Sequence, residues 1–247
     1  MAAVSVRPDT LAPGSGLALD RAEALRYLGY AGQELDDDLR ARFERLADAC
    51  ERTLRPACIH ATFDVDEARS CWDGDEPRVA FAGSPLVLEG RSIAAHLRGA
   101  QKAALMACTL GAASERELRK HAALGPVDAL LYGAAASALV EAAANATEAA
   151  IVEEAAAEGL HANFRFSPGY GDLPLTVQPA FLAALDATRR IGLSATEGNL
   201  LVPTKSITAV VGLFDRPLPR TAGRDACASC QLRPYCQLRK KGITCHG

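Results

Sequence analysis

Aromatic residues make up only 5% of this sequence, with a single Trp, and Met occurs twice. A β-sandwich knit by aromatic cross-strand pairs is disfavoured on that ground, while abundant Ala and Leu point to helices. No uninterrupted apolar run reaches 18 residues, and the first 16 residues carry Arg7, Pro8 and Pro13 without an apolar stretch of signal length. The expectation is therefore no membrane span, no secretory signal and a cytoplasmic protein. Excess positive charge is also missing. A net charge of −3 and a pI near 6.0 argue against bulk nucleic-acid binding. No P-loop, HExxH or Ser-His-Asp arrangement occurs, and Gly169-x-Gly171 fails as a dinucleotide fingerprint because Pro174 stands at its third position.

What is present suffices for one large domain with a small appendage: 247 residues, 49% of them apolar. Residues 1–16, rich in small residues, read as a loose tail. Asp20 suits the cap of a helix ended by Gly29, and a second helix runs from about Asp36 to Leu54 with Leu39, Phe43, Leu46 and Cys50 on one face. Short β-like runs follow at Cys58 to Val65 and Val79 to Leu88, then a short helix to Leu97, a strand over 103–110 and a helix over 112–124. Residues 127–159 form the longest helical stretch, on the order of 50 Å. A helix from Pro179 to Arg190 and strands at 191–195 and 206–214 complete the body. The mixture lacks a regular βαβ repeat, so the class is α+β, with a tail (1–16), a body (17–214) and a basic segment (215–247).

Within that body, the stretch Arg165 to Leu175 (RFSPGYGDLPL) has a composition suited to gripping a ligand. Ala162, Phe164 and Phe166 alternate with His161, Asn163 and Arg165, as in a half-buried strand that leaves Arg165 on its polar face. Pro168 fixes one backbone angle, Gly169 and Gly171 permit angles closed to other residues, and Tyr170 can cover what the backbone holds. On the long helix, Ser137, Glu141, Asn145 and Glu148 are spaced four, four and three apart, a polar stripe that a solvated face would also explain. Lys205 stands at the mouth of the last strand, where a surface charge is the ordinary reading.

The segment from Asp215 to Lys241 is about +5 against about −8 for the rest. Cys227, Cys230, Cys236 and Cys245 have the spacing C-x2-C-x5-C-x8-C, which suits four thiolates on one metal centre, either Zn²⁺ or an iron-sulfur cluster. Redox-active thiols or a disulfide are the alternatives. Cys50, Cys58, Cys71 and Cys108 lie far apart and read as small core residues.

Arg165, Gly169 and Tyr170 match an Arg-x-x-x-Gly-Tyr pattern, and the run from Thr196 to Ser206 has Thr-Glu, then Pro, then Ser before an apolar strand. In both respects, over roughly residues 125–213, the chain resembles the reactivation domain of cobalamin-dependent methionine synthase. The resemblance implies a free-standing relative that reactivates a corrinoid-binding methionine synthase or methyltransferase, with S-adenosylmethionine as methyl donor and cobalamin carried by the partner. It implies that Arg165, Pro168, Gly169 and Tyr170 grip S-adenosylmethionine and that Glu141 accepts hydrogen bonds from its amino or ribose groups. A reactivator needs low-potential electrons, which favours [4Fe-4S] over Zn²⁺ at the four cysteines and a flavodoxin- or ferredoxin-type donor. The family's site also uses tyrosines after the last long strand, and Phe214 to Arg220 contains none. His96-Leu97-Arg98-Gly99 resembles half of an Asp-x-His-x-x-Gly corrinoid loop, with Ala94 in the Asp position. The alternatives are an assembly partner of a corrinoid methyltransferase with a structural zinc, and a methyltransferase acting on a small substrate.

Overall fold

A computed structural model describes residues 3–6, 17–30 and 32–218, the first four by their backbone alone. The four-cysteine cluster at 227–245 lies outside the described residues. The frame is a five-stranded antiparallel sheet in the order β1-β2-β5-β9-β6, formed by β1 (Ala3–Val6), β2 (Ala57–Asp64), β5 (Lys102–Thr109), β9 (Ser206–Phe214) and β6 (His161–Ala162). Strands β5 and β9 are central and almost wholly buried, which their near-continuous apolar sequence requires. Residues 3–6, expected in a loose tail, instead pair with β2 from Ala3↔Thr62 to Val6↔Ile59. Val4 and Val6 suit an edge strand, a preference that the small residues around them conceal.

One face of the sheet, with Cys58, Met106, Cys108 and Val211, packs against α1 (Arg21–Tyr27), α2 (Asp37–Thr53) and α5 (Pro126–Ala157), with α4 (Gly111–Leu124) laid alongside α5. Helix α5 has the length and composition of a membrane-crossing helix, but here it buries residues from Leu131 to Ala155 in the core. Its alanines bring helix and sheet close together. The other face, with Ile59, Ala61, Leu105 and Val210, packs against the β3 (Arg78–Ala80) and β4 (Val87–Glu89) hairpin, α3 (Arg91–Leu97) and α6 (Gln178–Leu185). The helix expected over 179–190 is broken: Asp186 takes a left-handed conformation, and α7 (Ala187–Ile191) restarts after it. Only Ser194–Ala195 of the expected 191–195 strand is extended. It forms β7, paired with β8 (Leu201–Val202) around a tip at Thr196 to Asn199.

The segment after α5 departs most from its sequence pattern. Only two residues form β6, and pairing with β9 resumes at the single bridge Phe166↔Val210. Between them Asn163 keeps one ladder bond, its main-chain N–H donating to Gly212 C=O at 3.0 Å, and replaces the other with its side chain: its Oδ1 accepts from Gly212 N–H at 2.7 Å, while its Nδ2 donates to His96 C=O at 2.8 Å. Phe164 consequently lies 47% exposed instead of facing the core. The His96 ring is wedged against Phe164 and Phe166, and burial lowers its pKa to about 4 against a hydrogen bond with the Phe164 main chain. Downstream, Asp172 caps α3 from 80 residues away, accepting from Arg91 N–H at 2.7 Å and Ser92 N–H at 2.8 Å. Burial raises the Asp172 pKa, but those amides and the Ser92 hydroxyl overcome it and hold the carboxyl below its usual range. Asp172→Ala is expected to lose about 1–2 kcal/mol of stability, read by urea unfolding, with Asp172→Asn recovering part of the loss.

Candidate functional site

The polar stripe on α5 is where the predicted residues meet. Arg165 is held along it at four points. Its main-chain N–H donates to Glu148 Oε1 at 3.1 Å and Nε pairs with Glu148 Oε2 at 2.8 Å. Nη2 donates to Asn145 Oδ1 at 2.6 Å, and Nη1 makes a longer 3.5 Å contact with Glu141 Oε2. One turn back from Glu141, Ser137 Oγ accepts from Lys205 Nζ at 2.7 Å and donates to Gly133 C=O. The spacing legible in the sequence thus carries a line of partners between Arg165 and Lys205, whereas a solvated face would have none.

Lys205 is half-buried, and burial lowers its pKa against the opposing fields of Cys50 and Glu115. Glu115 fixes the turn before it, accepting from Thr204 N–H at 2.6 Å and Thr204 Oγ1–H at 2.7 Å. Those bonds, chiefly the main-chain one, keep the Glu115 carboxyl below its usual pKa despite burial. Between Lys205 and the Phe166↔Val210 bridge, the outer edge of β9 has no strand beside it among the described residues. Antiparallel alternation turns the main-chain groups of Ser206 and Thr208 toward this open edge. A cleft results, with Ser137 and Glu141 of α5 as one wall, the β9 edge as its floor, and Lys205 and the 165–170 loop at its ends.

The loop is folded by its own main chain. Gly169 N–H donates to Leu173 C=O at 2.8 Å, Leu173 N–H to Tyr170 C=O, and Tyr170 N–H to Ser167 C=O. Gly169 has φ +94° and Pro168 is buried beside it. Gly171, expected to present main chain to a ligand, is needed for packing: a Cβ there would lie 2.5 Å from Ser92 Oγ. Tyr170 is 61% exposed at the tip. A further aromatic was not among the residues to which the sequence pointed. Tyr27, the last residue of α1, is 42% exposed, and burial together with the carboxylates of Glu23 and Glu141 raises its pKa. It stands near enough to Glu141 to feel its charge, and nothing in the sequence signals that proximity.

The Nε2 atom of His96 is buried and lacks a hydrogen-bond partner among the described residues. Among the described residues no group of three or more His, Cys, Asp or Glu is arranged to hold a metal. Cys50, Cys58 and Cys108 are buried thiols, and Cys71 is partly exposed.

No family model matches the chain, and no curated protein matches it either. A solved structure does: the crystal structure of the MetH reactivation domain bound to AdoHcy is similar over 98% of this chain and 86% of that one, with a TM-score of 0.58 at 18% identity. The likeness establishes a shared mixed α/β architecture.

The geometry makes Arg165 an anchor of its loop. Arg165→Ala leaves Glu148 and Glu141 facing each other with their shared cation gone and is expected to cost about 1–3 kcal/mol in thermal or urea unfolding. Arg165→Lys is expected to recover less than half, because a single ammonium cannot reproduce three separately directed contacts.

Proposed function

We propose that this chain reactivates a corrinoid-dependent methyltransferase, a methionine synthase or a similar protein, and that S-adenosylmethionine occupies the cleft between α5 and β9. The observation that carries this reading is the meeting of Glu141 and Arg165 beside an open strand edge, in a fold shared with a MetH reactivation domain whose crystal structure contains AdoHcy. The cleft suits such a ligand chemically. The Glu141 carboxylate and the Lys205 ammonium, the latter held on Ser137 one turn back along α5, complement an amino-acid end, and the unpaired main chain of Ser206 and Thr208 offers donors and acceptors. Tyr27 and Tyr170 add exposed rings that can cover flat surface.

Bound there, S-adenosylmethionine supplies an electrophilic methyl group on a sulfonium, which the reduced cobalamin of the partner accepts. The residues of this chain bind and orient. Glu141 accepts from the ligand's amino or ribose groups, Arg165 fixes the loop, Pro168 and Gly169 shape the main chain, and Tyr170 covers it. None of them transfers a proton, and their contribution is to aim the methyl outward. On the same reading Cys227, Cys230, Cys236 and Cys245 hold a [4Fe-4S] cluster fed by a flavodoxin- or ferredoxin-type donor in the cytoplasm.

The test uses a cobalamin-dependent methionine synthase that lacks its own reactivation region, prepared in the cob(II)alamin form. Adding the full chain, S-adenosylmethionine and a low-potential reductant is expected to produce the methylcobalamin spectrum, with Glu141→Ala slowing its appearance about tenfold or more. Conversion at the same rate without the chain would overturn the proposal. Anaerobically purified protein is expected to be brown and reducible with stoichiometric iron and sulfide; colourless protein with one Zn²⁺ would instead assign the cysteines a structural role in an assembly partner.

A further inference from the structure

Arg165 and Lys205 stand at opposite ends of the cleft, and only one of them has charge to spare. The Arg165 guanidinium and main chain are committed to Glu148, Asn145 and Glu141. One guanidinium shared by two carboxylates leaves that end net negative, which repels an anion. Lys205 is in the reverse position. Its one close polar partner is the neutral Ser137 hydroxyl, and among the described residues no carboxylate lies within 4 Å of Nζ. The nearby Glu115 carboxylate is engaged by Thr204 instead. A half-buried ammonium whose one direct partner is a neutral hydroxyl, with the Glu115 carboxylate acting on it only from beyond ion-pair distance, is a costly arrangement that an incoming anion relieves.

We infer that Lys205, and not Arg165, binds the carboxylate of the ligand's amino-acid end, which makes it the specificity-determining residue of the cleft. The assignment rests on the S-adenosylmethionine reading of the cleft and adds to it the orientation of the ligand. Ser137 and Glu141 are one turn apart, with about 5–6 Å between their Cβ atoms. That spacing matches the reach needed for one α-amino acid to place its ammonium on Glu141 and its carboxylate on Lys205. Glu141 is suited to its half of the task, since Oε1 has no hydrogen bond among the described residues and Oε2 makes only the long contact to Arg165. An amino-acid end so placed spans the α5 wall, and the nucleoside extends toward the exposed rings. A ligand without the carboxylate would leave Lys205 as it is and lose the discrimination.

The experiment compares two nucleosides on the full chain by titration calorimetry: S-adenosylhomocysteine and its decarboxylated analogue, S-adenosyl-3-thiopropylamine. Wild-type protein is expected to prefer the carboxylated form by about tenfold or more. Lys205→Met is expected to shrink that preference to less than about threefold while leaving affinity for the decarboxylated analogue near wild type, and Lys205→Arg to retain most of it. Equal affinity of wild-type protein for both nucleosides overturns the assignment without reference to any variant. An unchanged preference in Lys205→Met overturns it too, yet leaves the ligand reading of the cleft standing. Binding of neither nucleoside by wild type removes the ligand reading, and this assignment with it.

Discussion

The ion pair between Arg165 and the α5 stripe is the contact on which the rest of this architecture turns. Strand β6 is two residues long, and an edge so short has little ladder to hold the chain beyond it. Glu148 supplies what the ladder lacks, accepting from the Arg165 main chain with one oxygen and pairing with the guanidinium through the other. Main chain and side chain are thereby fixed to the same carboxylate. An α5 that was apolar on all sides would pack equally well on the sheet but would leave the 165–175 loop without a fixed starting point.

From that starting point the loop transmits its position across the edge of the sheet. Asp172 caps α3, Gly171 admits Ser92 at a separation no side chain would allow, and the His96 ring fills the space beneath Phe164 and Phe166. The loop therefore joins the helix on one face of the sheet to the helix on the other around the open end of the edge. A binding residue carried on such a segment inherits the rigidity of both layers, which a site on an unsupported loop does not.

Most of the frame was legible in the sequence because burial and periodicity agree there. The 3.6-residue pattern of Phe43 and Cys50 gave α2, and the continuous apolar runs gave β5 and β9. The stripe from Ser137 to Glu148 was visible as spacing, although spacing alone could not distinguish water from Arg165 as its partner. What the pattern misjudged are places where a tertiary contact outweighs a local preference. Phe164 alternates correctly for burial, yet the Asn163 side chain takes over the Gly212 N–H and the strand turns outward. Asp186 breaks a helix that has no Gly or Pro to announce the break. Asp172 serves as a cap for a helix 80 residues earlier, and Tyr27 comes within the field of Glu141 only because α1 folds onto α5. Such pairings join residues that share no local pattern, so no window along the chain contains them.

The open edge of β9 has its own logic. Unpaired strand edges invite another strand, and proteins blunt them by keeping them short or placing charge on them. Here the unpaired part extends only from Ser206 to the bridge at Val210, Lys205 stands at its beginning, and the α5 carboxylates overhang it. Those features oppose a second strand, which would have to desolvate the ammonium while burying too few hydrogen bonds in return. On the proposed reading they suit a small polar molecule, which needs only two or three main-chain contacts and brings its own charges to meet the ones present. Exposed tyrosine rings of this chain stand on α1 and at the loop tip, and no tyrosine follows β9 before residue 220. On the proposed reading a ring at the rim is what the ligand needs, and α1 and the loop tip supply it without a tyrosine after the last strand.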